Sequence, residues 1–185
     1  MTKPDKPSRA DLLASAGKTV PDLVAPNLRV LFCGINPGLY SGYTSHHFAR
    51  PGNRFWGTLY NAGFTDRLLK PQEERELLTL GIGITNLVER ATATAAELSA
   101  DELAAGGQRL IATVEQYQPR VVAVLGISAF RLAFNQQRAV IGKQEQPLAR
   151  SALWILPNPS GLNAHYTPAD LARVYREFRL TIEGT

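Results

Sequence analysis

The sequence predicts an α/β fold in which about four mainly parallel strands carry helices on both faces of the sheet. The first observation is that the strand-like runs, such as residues 121–126, are continuously apolar, which is typical of strands buried on both faces. The second is that these runs alternate along the chain with segments of helical periodicity. The third is the length, because 185 residues suffice for a single domain with its own core.

Four apolar runs are predicted as strands because each is short, rich in aliphatic residues and followed by turn-forming residues. They are, in chain order, residues 28–34, 83–88, 120–126 and 152–156. The carboxyl ends of parallel strands meet at one edge of a sheet, and ligands bind at that edge in open α/β folds. We therefore expect the functional loops there.

The helices are predicted from their apolar spacing and from the residues that favour helix ends. Ser99 with Glu102, for example, forms a capping-box pattern at the start of one helix. A long loop is expected at residues 39–51, and in the helix after it Trp56 is expected to pack while Arg54 faces solvent. The predicted helices are residues 11–17, 53–62, 71–80, 99–117, 128–135 and 167–180.

Composition indicates an ordinary soluble globular protein and excludes several classes. Hydrophobic residues make up 44% and charged residues 19% of the chain. The single cysteine, Cys33, excludes an internal disulfide, a cysteine-ligated iron–sulfur cluster and a four-cysteine zinc site, and its apolar surroundings favour an inert thiol. The formal charge of +4 is a mild hint of a polyanionic partner.

Residues 1–9 are predicted to be a disordered basic tail and residues 10–185 a single domain. The tail has positive charge without a following apolar segment, so it does not resemble a secretory signal. No apolar run approaches the roughly 18 to 20 residues of a membrane span. We therefore expect a cytoplasmic protein, associated with the nucleoid if the source is bacterial. A monomer is expected because no exposed apolar stripe is left once the core is assigned.

Two Asn-Pro turns are the most informative functional feature of the chain. Asn36 lies in Gly-Ile-Asn-Pro-Gly after the first predicted strand, and Asn158 lies in Pro-Asn-Pro-Ser-Gly-Leu after the fourth. An Asn in such a turn is often structural, because its side chain bonds to nearby backbone. Their shared position at the carboxyl edge, together with Glu89 after the second strand, favours a common site.

Several common catalytic and nucleotide-binding motifs are absent from the sequence. It contains no Gly-x-Gly-x-x-Gly, no complete Gly-x-x-x-x-Gly-Lys-Ser/Thr loop and no Gly-x-Ser-x-Gly elbow. His46 and His47 are adjacent and His165 is the only other histidine, so no metal site is predicted. Phe48 either stacks on a base or covers the core, and Ser160 belongs either to a plain turn or to one that grips a phosphate.

Taken together, the motifs resemble those of the mismatch-specific uracil-DNA and thymine-DNA glycosylases. The resemblance runs in order from about residue 28 to residue 180, and its combination of segments is specific although each segment alone is not. The segments are Gly34-Ile35-Asn36-Pro37-Gly38, Phe48 before Pro51-Gly52-Asn53-Arg54-Phe55-Trp56, Thr85-Asn86-Leu87-Val88-Glu89-Arg90, and Asn158-Pro159-Ser160-Gly161.

The resemblance implies the uracil-DNA glycosylase fold, a three-layer α/β/α sandwich with a central, mainly parallel four-stranded sheet. It also implies a monofunctional enzyme without a cofactor or metal that removes uracil, or related damaged pyrimidines, from DNA in base excision repair. The implied partner is double-stranded DNA containing uracil mismatches, notably G:U pairs. The base would be flipped out of the duplex before its N-glycosidic bond is hydrolysed.

The same resemblance implies roles for individual residues. Asn36 matches the catalytic Asn that positions the attacking water. Ala164 stands where the wedge turn of bacterial members carries an Arg that contacts the opposite guanine, so the resemblance does not imply strict mismatch recognition; His165 is the alternative residue for that contact. The matched base-pocket residues are Ile35, Phe48 and Asn158, with Ser41 nearby, and the matched phosphate and wedge residues are Ser160, Gly161, Leu162 and Asn163.

The chemistry of an amide predicts a slow enzyme. Asn36 cannot take a proton at neutral pH, so it can orient a water without acting as a general base. A general base contributes about 10² to 10⁴ in rate. Glu89 is a candidate auxiliary carboxylate, with an ion pair to Arg90 or a place at a helix end as the alternative. Two rival hypotheses remain: an inactive DNA-binding module of the same fold, and a hydrolase of free nucleosides.

Overall fold

The computed structural model describes residues 6–184, and a five-stranded sheet runs through the centre of this part. The order of the strands is β2-β1-β3-β5-β4, with β4 antiparallel to β5 and every other neighbouring pair parallel. This confirms the predicted α/β class and the mainly parallel sheet. The strands are β1 (Val30–Gly34), β2 (Ile82–Asn86), β3 (Val121–Leu125), β4 (Gly142–Lys143) and β5 (Ala152–Leu156).

Seven α-helices accompany the sheet within residues 6–184, and none of them is long and apolar enough to cross a membrane. Short 3₁₀ helices lie at Pro71–Glu73 and Ala95–Glu97. The α-helices are α1 (Arg9–Leu13), α2 (Leu39–Thr44), α3 (Phe55–Ala62), α4 (Glu76–Thr79), α5 (Ala100–Tyr117), α6 (Ile127–Ala133) and α7 (Pro168–Glu183).

Alternate side chains of each strand point to opposite faces, and this divides the core into two apolar clusters. Phe32 of β1 packs with residues of α3 and α7, including Phe55 and Tyr175. Its neighbour Leu31 packs with residues of α5 and α6, including Phe130. The two clusters lie on the two faces of the sheet, so the molecule is the expected three-layer α/β/α sandwich.

The structure corrects three details of the predicted elements. The sheet has a fifth strand, β4, whose two residues are too few to leave a recognisable pattern. The predicted helix at residues 71–80 is a 3₁₀ turn followed by α4. The predicted loop at residues 39–51 contains α2, whose Tyr, Ser, Gly and Thr residues are weak helix formers. Packing stabilises α2, since a Cβ added to Gly42 would lie 2.8 Å from Ala91 Cβ.

The first helix begins inside the range predicted as a tail. Ser8 is the N-cap of α1: its hydroxyl accepts a hydrogen bond from Asp11 N at 3.1 Å, and the Asp11 carboxylate accepts one from Ser8 N at 2.9 Å. Residues 1–5 of the predicted tail lie outside the described residues.

Both edges of the sheet are covered. Leu23, in the connector before β1, exchanges two backbone hydrogen bonds of 2.8 Å with Ile84 of β2. At the other edge, Gly142 and Lys143 of β4 pair with β5. The cover is short on each side.

The strand register brings the functional loops together. Gly34 at the end of β1 lies opposite Asn86 at the end of β2, and Leu125 at the end of β3 lies opposite Leu156 at the end of β5. The loops that follow β1, β2 and β5 therefore start from one edge.

Candidate active site

A cleft of about 130 Å³ opens where these three loops meet. Pockets for drug-sized ligands are typically about 300 to 1,000 Å³, so this one suits a smaller group such as a single planar ring. Seven of the predicted site residues line it together: Ile35, Asn36, Ser41, Phe48, Asn158, Ser160 and Leu162. Its other lining residues are Pro37, Gly38, His47, Arg50, Asn53, Asn86, Thr92, Ala93, Thr94 and Ala95.

The side-chain amide of Asn36 is held in one orientation. Its Nδ2 donates to the carbonyl oxygens of Pro37 at 3.1 Å and Arg90 at 3.0 Å, and it lies 2.7 Å from the Thr92 hydroxyl, which itself donates to Thr94 O. Carbonyl oxygens only accept, so the nitrogen must face them. Oδ1 of Asn36 has no partner in the described part of the chain. The cleft therefore contains a fixed, free acceptor.

Phe48 forms one wall of the cleft in an unusual backbone conformation. Its ring stacks on Phe55 with centroids 4.0 Å apart and an interplanar angle of 19°. Its φ of 51° is uncommon for a residue other than glycine. The next residue, Ala49, is held by a hydrogen bond from its N–H to the Ser41 hydroxyl at 3.1 Å. Ser41 therefore lines the cleft and also supports the Phe48 loop.

Glu74 anchors the same loop from the other side. Its carboxylate accepts hydrogen bonds from the backbone N–H of His47 at 2.8 Å and from Nδ1 of His46 at 3.0 Å. The His47 ring donates from Nε2 to Pro21 O at 2.9 Å. Burial lowers the pKa of His47, although the Glu74 carboxylate opposes this shift, so the ring is neutral at pH 7.

Asn86 lines the cleft and is not among the predicted site residues. It is 6% exposed, and its side-chain amide has no partner among the described residues. A Cβ on Gly34 would lie 2.5 Å from Asn86 Oδ1 and 3.3 Å from the Phe48 ring, so this glycine makes room for the amide. The apolar residues after Asn86 extend the predicted strand to residue 88. They conceal that Asn86 is the last residue of its strand, where a functional side chain is expected.

The loop after β5 is organised by its own side chains. Asn158 Oδ1 accepts from Ser160 N at 3.0 Å, and Ser160 Oγ accepts from Leu162 N at 3.2 Å. Asn163 Nδ2 donates to Asn158 O at 2.9 Å, and Asn163 Oδ1 accepts from His165 N at 3.1 Å. Asn163 thus braces the loop and does not line the cleft. Asn158 Nδ2 has no partner within residues 6–184 and remains available as a donor at the cleft.

Leu162 and Gly161 form the outer tip of this loop. Leu162 is 66% exposed at the mouth of the cleft. Gly161 packs against the loop before α3, where an added Cβ would come within 2.8 Å of Gly52 O. Arg50 also lines the groove between these two loops. A large apolar side chain is therefore presented to solvent on a tip that is packed from behind.

Arg54, which was expected to face solvent, is turned inward instead. Its guanidinium donates to Tyr166 O at 2.6 Å, to Asn163 O at 2.9 Å and to Ser160 O. The spacing of its helix predicts an outward side chain because it ignores the loop after β5, which covers this end of α3. The expected packing of Trp56 is confirmed, as its side chain is buried in the core.

Glu89 is not brought to the cleft. Its carboxylate is exposed and forms an ion pair with Arg109 at 3.0 Å. Arg90 is paired instead with Glu102 at 2.6 Å. Asp22 lies near Arg109, and burial raises the pKa of its carboxyl. No carboxylate or lysine is among the described residues that line the cleft.

The described residues contain no group of three or more His, Cys, Asp or Glu placed to hold a metal ion. Cys33 is fully buried in β1, and burial raises the pKa of its thiol far above the usual range. A buried, protonated thiol is a poor nucleophile. Besides the Arg50 guanidinium and the His47 ring, the polar groups that line the cleft are amides, hydroxyls and backbone groups.

The cleft combines a fixed amide acceptor, free amide donors and a stacking ring at one sheet edge. A family model described as the uracil DNA glycosylase superfamily matches residues 21–179, which include every strand and every residue lining the cleft. The chain belongs to the uracil DNA glycosylase superfamily. This membership confirms the superfamily part of the resemblance, whereas the mismatch-specific branch stays a prediction.

A solved structure supports the fold of this superfamily member. The solution NMR structure of a candidate uracil DNA glycosylase from Methanosarcina acetivorans is similar with a TM-score of 0.56 and 17% sequence identity. The match covers 88% of this chain and 98% of that chain. At this identity the likeness concerns the fold alone.

Membership of the superfamily assigns a general activity, that of a DNA N-glycosylase, which is a hydrolase acting on DNA. Cleavage of an N-glycosidic bond builds positive charge on the sugar and negative charge on the departing base. Preorganised donors stabilise such a developing anion most when water is excluded. The free amide donors of the cleft suit the negative charge on the departing base, and the amide acceptor suits the positive charge on the sugar.

Proposed function

We propose that the protein is a monofunctional DNA glycosylase that removes uracil from double-stranded DNA, notably from G:U mismatches. The observation that carries the proposal is the fixed amide of Asn36, whose Nδ2 is bonded to two backbone carbonyls while Oδ1 remains free in the cleft. The uracil nucleotide is flipped out of the duplex so that its base enters the cleft.

In this mechanism Asn36 orients the attacking water. Oδ1 accepts a hydrogen bond from the water and holds its oxygen toward the sugar carbon. The amide cannot remove the proton, and no carboxylate among the described residues lines the cleft to do so. The proton therefore passes to solvent once the new carbon–oxygen bond has formed, and the base leaves as an anion. The rate is therefore low compared with that of an enzyme with a general base, which contributes about 10² to 10⁴.

The departing base is stabilised by donors and by stacking. Asn158 Nδ2 donates to a carbonyl oxygen of the pyrimidine as negative charge develops there. The Asn86 amide offers a donor and an acceptor side by side, which matches an imide carbonyl and its neighbouring N–H. Phe48, fixed by Phe55, stacks on the ring. The backbone at Ile35 contributes to the same pocket, which also admits related damaged pyrimidines.

The outer loop acts on the duplex. Ser160 and Gly161 lie close to the phosphate of the flipped nucleotide, and Leu162 fills the gap left in the base stack. Ala164 provides only a methyl group beside the opposite base, so we propose that G:U mismatches are substrates without a strict requirement for the opposite guanine. We propose that the protein acts as a monomer in the cytosol, as an enzyme of base excision repair without a cofactor.

Matched duplexes test this proposal. The protein is incubated with labelled DNA carrying uracil opposite guanine, uracil opposite adenine or uracil in a single strand, and abasic sites are then cleaved with alkali. Strand cleavage only after alkali, and its loss in Asn36→Ala, are the expected results. Cleavage without alkali would contradict the monofunctional mechanism.

Two further assays, of duplex binding at several salt concentrations and of free deoxyuridine cleavage, distinguish the rival hypotheses. Salt-sensitive duplex binding without cleavage of any substrate would indicate an inactive DNA-scanning module. Release of uracil from free deoxyuridine, with none from DNA, would indicate a nucleoside hydrolase. The ranking of the two duplexes tests the effect of Ala164 on the mismatch rule.

A further inference from the structure

The loop of residues 158–166, here called the wedge loop, is held by the half-buried guanidinium of Arg54. Two nitrogens of the Arg54 guanidinium donate to three of its carbonyl oxygens, those of Ser160, Asn163 and Tyr166. The Arg54 backbone N–H donates to a fourth, Pro159 O, at 3.1 Å. Hydrogen bonds from a charged donor are among the stronger ones in proteins.

The carbonyl oxygens of the wedge loop are directed inward as a result. Asn158 O accepts from Asn163 Nδ2, and the next carbonyls along the loop meet Arg54. The wedge loop contains no helix or strand. The bonds made within the loop fix its local shape, and the bonds from Arg54 fix where that shape lies relative to α3.

A planar fork is required for this contact. The two Nη atoms reach carbonyls that are separated by three residues along the loop, Asn163 and Tyr166, as well as Ser160. A lysine ammonium is a single point of charge on a flexible stem, so it cannot reproduce this arrangement. The Nε atom of Arg54 is buried and has no partner among the described residues, which shows how far the side chain is inserted.

Arg54 also connects the wedge loop to the cleft. It is the N-cap of α3, and the first residue of that helix is Phe55, on which the Phe48 ring stacks. The loop tip that carries Leu162 and the Phe48 ring are therefore both positioned by one short segment, residues 54–55.

We propose that Arg54 is the positioning residue of the wedge, holding Leu162 at the height and angle at which it enters the duplex when a base is flipped. The inference rests on the proposed function and goes beyond it, because it makes opening of the duplex depend on a residue that contacts neither base nor phosphate. Single-stranded DNA has no base stack to open. Its uracil therefore reaches the cleft without a correctly placed wedge.

The test compares Arg54→Met and Arg54→Lys with the wild-type protein on duplex and single-stranded uracil substrates. The matched control is Arg131→Met, because Arg131 makes the same kind of contact, from Nε and Nη2 to Ala139 O, in a loop away from the cleft. We expect both Arg54 variants to lose about tenfold or more of kcat/KM on the duplex and to stay within about threefold on the single strand. The control should change neither.

Two physical readouts accompany the kinetics. Amide hydrogen exchange at residues 160–166 should accelerate in the Arg54 variants and remain unchanged in the control. A duplex with 2-aminopurine next to the uracil should fluoresce less on binding the variants, because the base step is opened less. Thermal unfolding identifies any variant that does not fold. If Arg54→Met does not fold, the comparison of Arg54→Lys with the wild type tests the inference.

Equal losses on duplex and single strand, or no loss on the duplex, would overturn the inference. So would unchanged exchange in the wedge loop. If the wild-type protein excises uracil from neither substrate, the proposed function fails. The exchange and fluorescence results then decide the role of Arg54 by themselves.

Discussion

The two Asn-Pro turns follow parallel strands, yet their side-chain amides are fixed in opposite ways. Asn36 uses its nitrogen to bond across to the loop after β2 and leaves its oxygen free. Asn158 uses its oxygen to bond to Ser160 N, two residues along, and leaves its nitrogen free. The same dipeptide therefore supplies an acceptor at one side of the cleft and a donor at the other. What an Asn offers to a substrate is decided by the bonds it already makes.

The largest effect is expected at the acceptor. Asn36→Ala removes the only group placed to orient the water in the proposed mechanism, and we expect excision to fall by about 10³. Single-turnover excision of uracil from a G:U duplex measures this. Near wild-type activity would break the assignment of the free acceptor.

The aspartate variant sharpens the same point. In Asn36→Asp the second carboxylate oxygen would face the carbonyls of Pro37 and Arg90 at about the distances of the present bonds, 3.1 and 3.0 Å. Repulsion raises the pKa of that carboxyl, because a proton is needed between the oxygens. Any gain from a general base should therefore appear only as the pH rises. A pH profile identical in shape to that of the wild type would contradict this.

The second largest effect on excision is expected at the free donor, Asn158 Nδ2. Asn158→Asp retains an oxygen for Ser160 N but replaces the free donor with an acceptor beside the departing anion. Loss of one such donor costs about 10² to 10³ in rate. Asn158→Ala serves as the comparison, because it removes the turn bond as well. If Asn158→Asp excises uracil as well as the wild type does, the free Nδ2 has no part in catalysis.

Asn86 sharpens the comparison because neither atom of its amide is bonded among the described residues. It has both a donor and an acceptor to offer, so it is suited to recognise a base rather than to assist one step. We expect Asn86→Ala to lower kcat/KM for uracil about tenfold, in line with one or two lost hydrogen bonds. Inhibition by free uracil, measured for the wild type and for Asn86→Ala, should weaken by a similar factor in the variant.

Gly126 lies between the two Asn-Pro turns, so a larger residue there tests how closely the turns are spaced. Its φ is 123°, and a Cβ there would lie 3.3 Å from Ile35 Cδ1 and 3.7 Å from Asn158 Cβ. Gly126→Ala should lower the free energy of unfolding by about 1 to 3 kcal/mol through backbone strain. Gly57→Ala in α3 is the control, because an added Cβ there meets nothing within 4 Å. Urea unfolding of both variants, each with its excision rate, provides the measurement.

The smallest effect concerns the Phe48 loop. Burial lowers the pKa of His47, so the unfolded chain binds its proton more readily than the folded chain does. The contribution of His47 to the free energy of unfolding should therefore be fully present above about pH 6.5 and be lost as the pH falls below that value. His47→Gln retains a donor for Pro21 O and should remove this part of the pH dependence. A parallel decline in both proteins would contradict it.

The fold could be predicted because its signals are local. Continuous apolar runs and caps such as Ser99 and Thr167 identify strands and helices wherever the rest of the chain lies. The fifth strand could not, since two residues contain no period. Helix α2 could not, because packing against Ala91 stabilises it rather than propensity.

The candidate site was predictable where its residues sit in turns of recognisable sequence. Asn36 and Asn158 follow their strands directly, and the structure brings both to one cleft. Arg54 could not be assigned, because its role depends on a loop more than a hundred residues away. The partner of Glu89, Arg109, was likewise set by tertiary structure.

The covered edges of the sheet have a consequence for how the protein behaves at high local concentration. An exposed strand edge is a template for pairing with a second molecule. Here Leu23 occupies the outer edge of β2, and β4 occupies that of β5. A protein that gathers along a nucleic acid meets its own copies often. These contacts shorten the stretch of each edge that is open to a second molecule, which disfavours strand-to-strand aggregation during those encounters.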